Sequence, residues 1–143
     1  MAGLDAPFRP RLARVVTLSV AVVVLVLVGV LVLTMPGLAP LDQVGFVLFG
    51  LAVAWFCWRQ ASVRAVPDET GLLVRNLVVT THVTWAQIVS VRFGQGRPWV
   101  QLDLADGETL AVMGVQRADG AFADAEARRL ATLVARRSDP QAG

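Results

Sequence analysis

The side chains able to do chemistry are few and widely spaced. The chain of 143 residues has one histidine, His82, one cysteine, Cys57, and no tyrosine. A nucleophilic triad would need His82 as its base and Ser62 or Ser90 as its nucleophile, and neither serine lies in a nucleophile motif. One histidine and one cysteine do not make a zinc site. Cys57 lies inside an apolar run and has no second cysteine with which to form an intrachain disulfide. Asp103, Asp106 and Glu108 have cation-ligating groups, but they flank an Asp106-Gly107 turn, where solvated acids are expected. Phe93-Gly94-Gln95-Gly96-Arg97-Pro98 has the glycines of a phosphate loop without the helix start that focuses its amides. His82 reads as a sheet-surface residue, and Trp85 and Trp99 read as packing residues rather than ligand stackers. The expectation is a non-enzyme with no catalytic residue, no metal and no cofactor.

Charge is carried by arginine. Thirteen arginines and no lysine face eleven acids, a net charge of +2. From Arg59 onward ten arginines face nine acids, too even a balance for a nucleic-acid binder, which needs a basic face. An all-arginine basic complement with abundant Ala and Val is the composition of a GC-rich bacterial genome.

The elements that must position these groups fall into two parts. Of the first 58 residues 40 are apolar, against 39 of the remaining 85. Val15–Leu33 is nineteen residues without a charge. As a helix it spans about 28 Å, close to a bilayer's hydrocarbon thickness. A lone span in lipid must be helical, because its backbone has to satisfy its own hydrogen bonds. The run is too long for the core of a cleaved signal peptide. A second span runs from Pro40 to Trp58, with Pro40 at a first helical position and Asp42 in the first turn. Met35–Ala39 is the tight linker. Trp55, Phe56 and Trp58, followed by Arg59, form an interfacial belt, and Arg14 anchors the first span. Gly50 and Ala54, four apart, would let helices approach closely, although small residues are common in membrane helices.

Arg9, Arg11 and Arg14 precede the first span, Arg59 and Arg64 follow the second, and the linker has no arginine. Both termini are therefore expected in the cytoplasm, with the hairpin in the bacterial inner (plasma) membrane. Neither span has a polar site at the midplane, which argues against a channel or transporter.

The rest alternates like a small antiparallel domain. Val63–Val66, Gly71–Leu77, Thr80–Trp85, Ile88–Phe93 and Trp99–Leu104 read as strands, with a return strand from Thr109. The turn near Val78-Val79 lacks Gly or Asn. Thr84-Trp85-Ala86-Gln87 fits a capping box and predicts one helical turn. A consistent buried face pairs Leu102 with Leu110 and Val100 with Val112 across a loop Ala105-Asp106-Gly107, with Gly107 left-handed. Asp119–Arg137 reads as an amphipathic helix burying Ala123, Ala127, Leu130 and Val134, acidic at its start and basic at its end.

The run Asp68-Glu69-x-Gly71-x-x-Val74-Arg75-Asn76-Leu77, then Val83-x-Trp85-x-x-Ile88, then Val91-Arg92-Phe93 and Asp106-Gly107, resembles a bacterial PH-like domain family. This is the low-molecular-weight protein antigen 6 type, found in small actinobacterial membrane proteins. The family often carries a basic pair and a proline just before the tryptophan, where this chain has Thr81, His82 and Thr84. The resemblance implies an α+β fold, in which a two-helix transmembrane hairpin precedes a small PH-like antiparallel split barrel closed by a C-terminal helix. The expected divisions are an N-terminal segment over 1–14, the hairpin over 15–61, the PH-like domain over 62–137 and a tail over 138–143. The expected function is a membrane-anchored interaction or scaffold module with the bilayer, a protein and a second copy of itself as partners. Lipid-headgroup binding is the alternative. Candidate contacts for either are Arg75, Arg92, Arg97, Trp99 and Arg117.

Overall fold

The computed structural model describes residues 3–94 and 96–138. The first helix, α1, runs Leu12–Thr34 and the second, α2, Pro40–Ala61. Both are long and apolar enough to cross a membrane. They pack along each other, and a Cβ added to Gly50 would lie 3.0 Å from the Val28 side chain, so this glycine sits at their contact. Ala21, Gly50, Cys57 and Ala61 are their buried residues, whereas Val22, Leu27, Leu48, Phe49 and Trp55 are exposed. A soluble helix would hide such side chains, because each costs about 1.5–3 kcal/mol when left in water.

Two three-stranded antiparallel sheets follow. The first orders β1 (Arg64–Pro67), β2 (Gly71–Arg75) and β3 (Thr80–Thr84); the second orders β4 (Ile88–Arg92), β5 (Trp99–Leu104) and β6 (Thr109–Gln116). Between β3 and β4 stands the single turn Trp85–Gln87, and the Thr84 N–H donates to Gln87 Oε1 at 2.8 Å, as the capping box requires. Val100 pairs with Val112 and Leu102 with Leu110, across a loop whose Gly107 has φ +87°. Alternation therefore read this register correctly. The inward faces supply Leu72, Val74, Val83, Trp85, Ile88, Val100, Leu102 and Val112 to one core. Helix α3 (Ala121–Ser138) closes it with Ala123, Leu130, Leu133 and Val134.

Three of the expected boundaries move. Strand β2 ends at Arg75 rather than Leu77, because Asn76 turns its amide toward the second sheet. Its Nδ2 donates to Ala111 O at 2.8 Å and its Oδ1 accepts the Met113 N–H at 3.1 Å. One side chain thus continues a strand-like ladder from one sheet to the other. The last helix begins at Ala121 rather than Asp119, since Gly120 at φ +59° separates it from the turn Arg117–Asp119. Ser138 ends α3 rather than opening a tail, and its hydroxyl donates to Trp85 O at 3.0 Å. The remainder of the expected tail, 139–143, lies outside the described residues.

The segment before α1 is also built into the domain. Phe8 is fully buried and bridges β1: its N–H donates to Ala65 O at 2.8 Å, and the Ala65 N–H donates to Phe8 O at 3.0 Å. Gly114 on β6 makes room for this bridge, since a Cβ there would lie 2.6 Å from Phe8 O. Gly114→Ala is therefore expected to destabilise the domain by roughly 1–3 kcal/mol through overpacking. The check is a lowered thermal midpoint of the detergent-solubilised full chain.

Candidate functional site

Four of the five candidate contact residues lie around the β4–β5 connection. Arg92 pairs with Asp103 at 2.7 Å, and the Ser90 hydroxyl donates to the same carboxylate. The Ser90 bond holds the Asp103 carboxyl below its ordinary range against the opposing effect of desolvation, with Arg92 and Arg97 adding smaller contributions in the same direction as Ser90. Arg97 bonds Gln101 within the chain. Arg117 lies 3.9 Å over the Phe93 ring, donates to Phe93 O and Gly94 O, and pairs with Asp124 at 3.2 Å. Trp99 is half-buried at a register shift opening β5. Arg97 and Arg117 share a shallow cleft with Gly96 and Pro98, but Arg92 does not line it. These arginines mainly tie loops and strands together.

Arg75 stands apart from them, at the join between domain and helices. Its guanidinium lies 5.8 Å from the Trp58 ring. With Arg9, Arg14 and Arg64 it lines a cleft of about 190 Å³ whose remaining wall includes Trp58 and Leu18. Among the described residues no acid lines this cleft, and none of the four arginines forms an ion pair. Arg64 Nε is buried with no hydrogen-bond partner. The sequence marks Arg14 as an interfacial anchor and leaves Arg9 and Arg64 as flanking charge. One signal was available: cations before one span and after the next must meet if the spans pair.

Several direct bonds fasten the same join. The Asp119 carboxylate accepts the Arg11 N–H at 2.9 Å and the Leu12 N–H at 2.7 Å, capping α1 from the far end of the chain. The Arg11 guanidinium covers the Phe122 ring at 3.8 Å. At the end of α2, Arg59 Nε donates to Leu77 O at 3.0 Å, so Arg59 holds the β2–β3 turn. Trp55 and Trp58 remain exposed.

The residues of the recurring sequence pattern have structural work. Asp68 Oδ1 accepts the Thr70 N–H, the Thr70 hydroxyl and the Gly71 N–H at 2.7–2.8 Å. Its Oδ2 faces His82 Nε2 at 3.1 Å, and its backbone oxygen accepts the Trp85 indole N–H at 3.0 Å. His82 is exposed on the sheet surface, and Trp85 is core.

The family model for "Bacterial PH domain" matches residues 62–132. An uncharacterised protein of Mycobacterium tuberculosis is 36% identical over 95 residues, covering 66% of this chain and 62% of the relative. A Mycobacterium bovis protein matches equally. Low molecular weight protein antigen 6 of Mycobacterium tuberculosis is 31% identical, covering 50% of this chain and 77% of that protein. The chain thus spans less than two thirds of the first relatives and more than two thirds of the antigen. No solved structure matches significantly.

Two outcomes follow from these bonds. The Thr70 hydroxyl first, then the Gly71 and Thr70 amides, lower the Asp68 pKa from its ordinary 3.8 to about 2. The stabilisation this carboxylate gives is complete above the ordinary value and is lost as pH falls through the folded one. The Gly71 amide shift, followed by NMR, should titrate with a midpoint near 2, and Asp68→Asn should abolish that step. Separately, Asp119→Ala removes the cap on α1 and should cost about 1 kcal/mol. Faster hydrogen exchange at Arg11 and Leu12 would report it.

Proposed function

The chain belongs to the bacterial PH domain family, and we propose that it is a membrane-anchored, non-catalytic interaction module whose domain sits against the inner face of a bacterial plasma membrane. One observation carries this reading: the domain grips both the start of α1, through Asp119, and the end of α2, through Arg59. A domain held at both helix ends is presented in one pose, which is what a docking platform needs and a loose tether lacks. The arginines concentrate at that end of the hairpin, and the linker between the helices has none, which supports a cytoplasmic domain with both termini inside.

The partner surface in this reading is the free edge of β3. Its sheet is ordered β1-β2-β3, so β2 covers only one side of β3. Thr80 and His82 are exposed along it. A protein segment adding as a further strand would find main-chain donors and acceptors already aligned. The sparse chemistry of the chain supports a binding role over catalysis: its one histidine is tied to Asp68, and Ser90 is tied to Asp103.

Reporter fusions test the topology. A C-terminal fluorescent protein should be bright and a C-terminal alkaline phosphatase silent; the reverse pattern would overturn the orientation. A photo-cross-linking residue at Thr80 should give a discrete protein adduct in the native host, and one at Ala135 on the exposed face of α3 should not. Equal labelling from both positions would remove β3 as the docking edge.

A further inference from the structure

We propose that the cleft between the hairpin and the domain is a binding site for the phosphate of one anionic phospholipid, held by Arg9, Arg14, Arg64 and Arg75. Four guanidinium groups, with no acid among the described lining residues, leave a concentrated positive charge for a ligand to balance. No ion pair among the described residues supplies the balance. Arg64 is the sharpest indication. Its side chain lines the cleft while its Nε is buried without an acceptor, so the charge is not satisfied within the protein. Guanidinium forks suit phosphate oxygens, to which they can bond in pairs.

The depth of the cleft selects the source of that phosphate. Arg14 lies in the first turn of α1, immediately before the apolar run begins, and Leu18 is one turn deeper. Trp58 lies at the far end of α2, where an amphipathic ring favours the headgroup layer. A cleft walled by Leu18 and Trp58 and headed by arginines therefore opens at the level where lipid phosphates lie. The Trp58 ring and Leu18 can follow the glycerol and upper acyl carbons, which a free phosphate ion lacks. A bound lipid would be a further link between helices and domain, beside the Asp119 and Arg59 bonds. This inference rests on the membrane-anchored reading only for the depth of the site.

The test uses the full chain, reconstituted in vesicles of equal parts phosphatidylcholine and phosphatidylglycerol and re-extracted in neutral detergent. Native mass spectrometry then counts the retained phospholipid. Wild type should keep one phosphatidylglycerol in preference to phosphatidylcholine. Each basic group near a membrane surface adds about fivefold to anionic-lipid affinity, so Arg9→Gln with Arg75→Gln should lower retention about 25-fold. Arg128→Gln with Arg136→Gln, on exposed α3 positions away from the cleft, should leave it unchanged. If the double variant unfolds, Arg9→Gln alone removes an exposed side chain and should still give the fivefold loss.

Retention in the vesicle's own lipid ratio would overturn the proposal, as would equal retention by the Arg9/Arg75 variant. Inorganic phosphate raising the thermal midpoint as far as phosphatidylglycerol does would reassign the cleft to a soluble anion. Extraction is blind to which face of the membrane carried the domain. A wrong orientation would therefore show in the reporter fusions and not here.

Discussion

The first amides of a helix have no partners within it, and at a membrane surface they cannot be left to chance. In α1 the Arg11 and Leu12 amides are met by the carboxylate of Asp119, from the opposite end of the sequence. That carboxylate also suits the positive end of the helix dipole. The neighbouring contacts follow from it. Once Asp119 is drawn to α1, Phe122 comes under Arg11, and α3 lies where Arg129 can reach the N-terminal segment. Arg129 covers the Phe8 ring at 3.7 Å, donates to Leu4 O and Ala6 O, and pairs with Glu126 at 2.7 Å. Burying Phe8 stabilises the assembly by roughly 1.5–3 kcal/mol. Helix and domain thus form one packed unit.

Local chemistry was readable and remote chemistry was not. The apolar runs announced α1 and α2, because stretches that long and that apolar admit few other structures. The Thr84–Gln87 box is a four-residue device, and the β5–β6 register follows from keeping one face apolar. Each depends on neighbours in sequence. Asn76, Asp119 and Phe8 have their partners far away. Asn76 read as the inside of a strand, Asp119 as the acidic start of its own helix, and Phe8 only as part of the N-terminal segment before the first span. The arginines divided in the same way. Arg92 and Arg117 looked available in sequence, and folding occupies them with Asp103, Asp124 and loop carbonyls. Arg9 and Arg64 looked like flanking charge, and folding brings them together with Arg14 and Arg75.

The family pattern speaks of architecture more than of activity. Asp68 knots the β1–β2 turn, Trp85 packs beneath it, Asn76 joins the sheets, and Ile88 is core. A chain can therefore keep the pattern and change its partners. Arg9 and Arg14 lie outside the matched range of 62–132, so half of the arginine cleft comes from the N-terminal segment and the start of α1, not from the matched family domain. A PH domain alone, without the preceding helices, would not form that cleft.

The bridge between Phe8 and Ala65 has a consequence for biosynthesis. Phe8 leaves the ribosome before both apolar helices, and its partners on β1, β6 and α3 leave after them. The domain can therefore complete its core only after both helices have been made, with Phe8 and β1 brought to the same place. A hairpin inserted with its first helix reversed would strand Phe8 across the bilayer and leave Ala65 and Gly114 facing a gap. For a hairpin that spans a membrane as proposed, having both ends on one side would thus be a precondition of a stable domain.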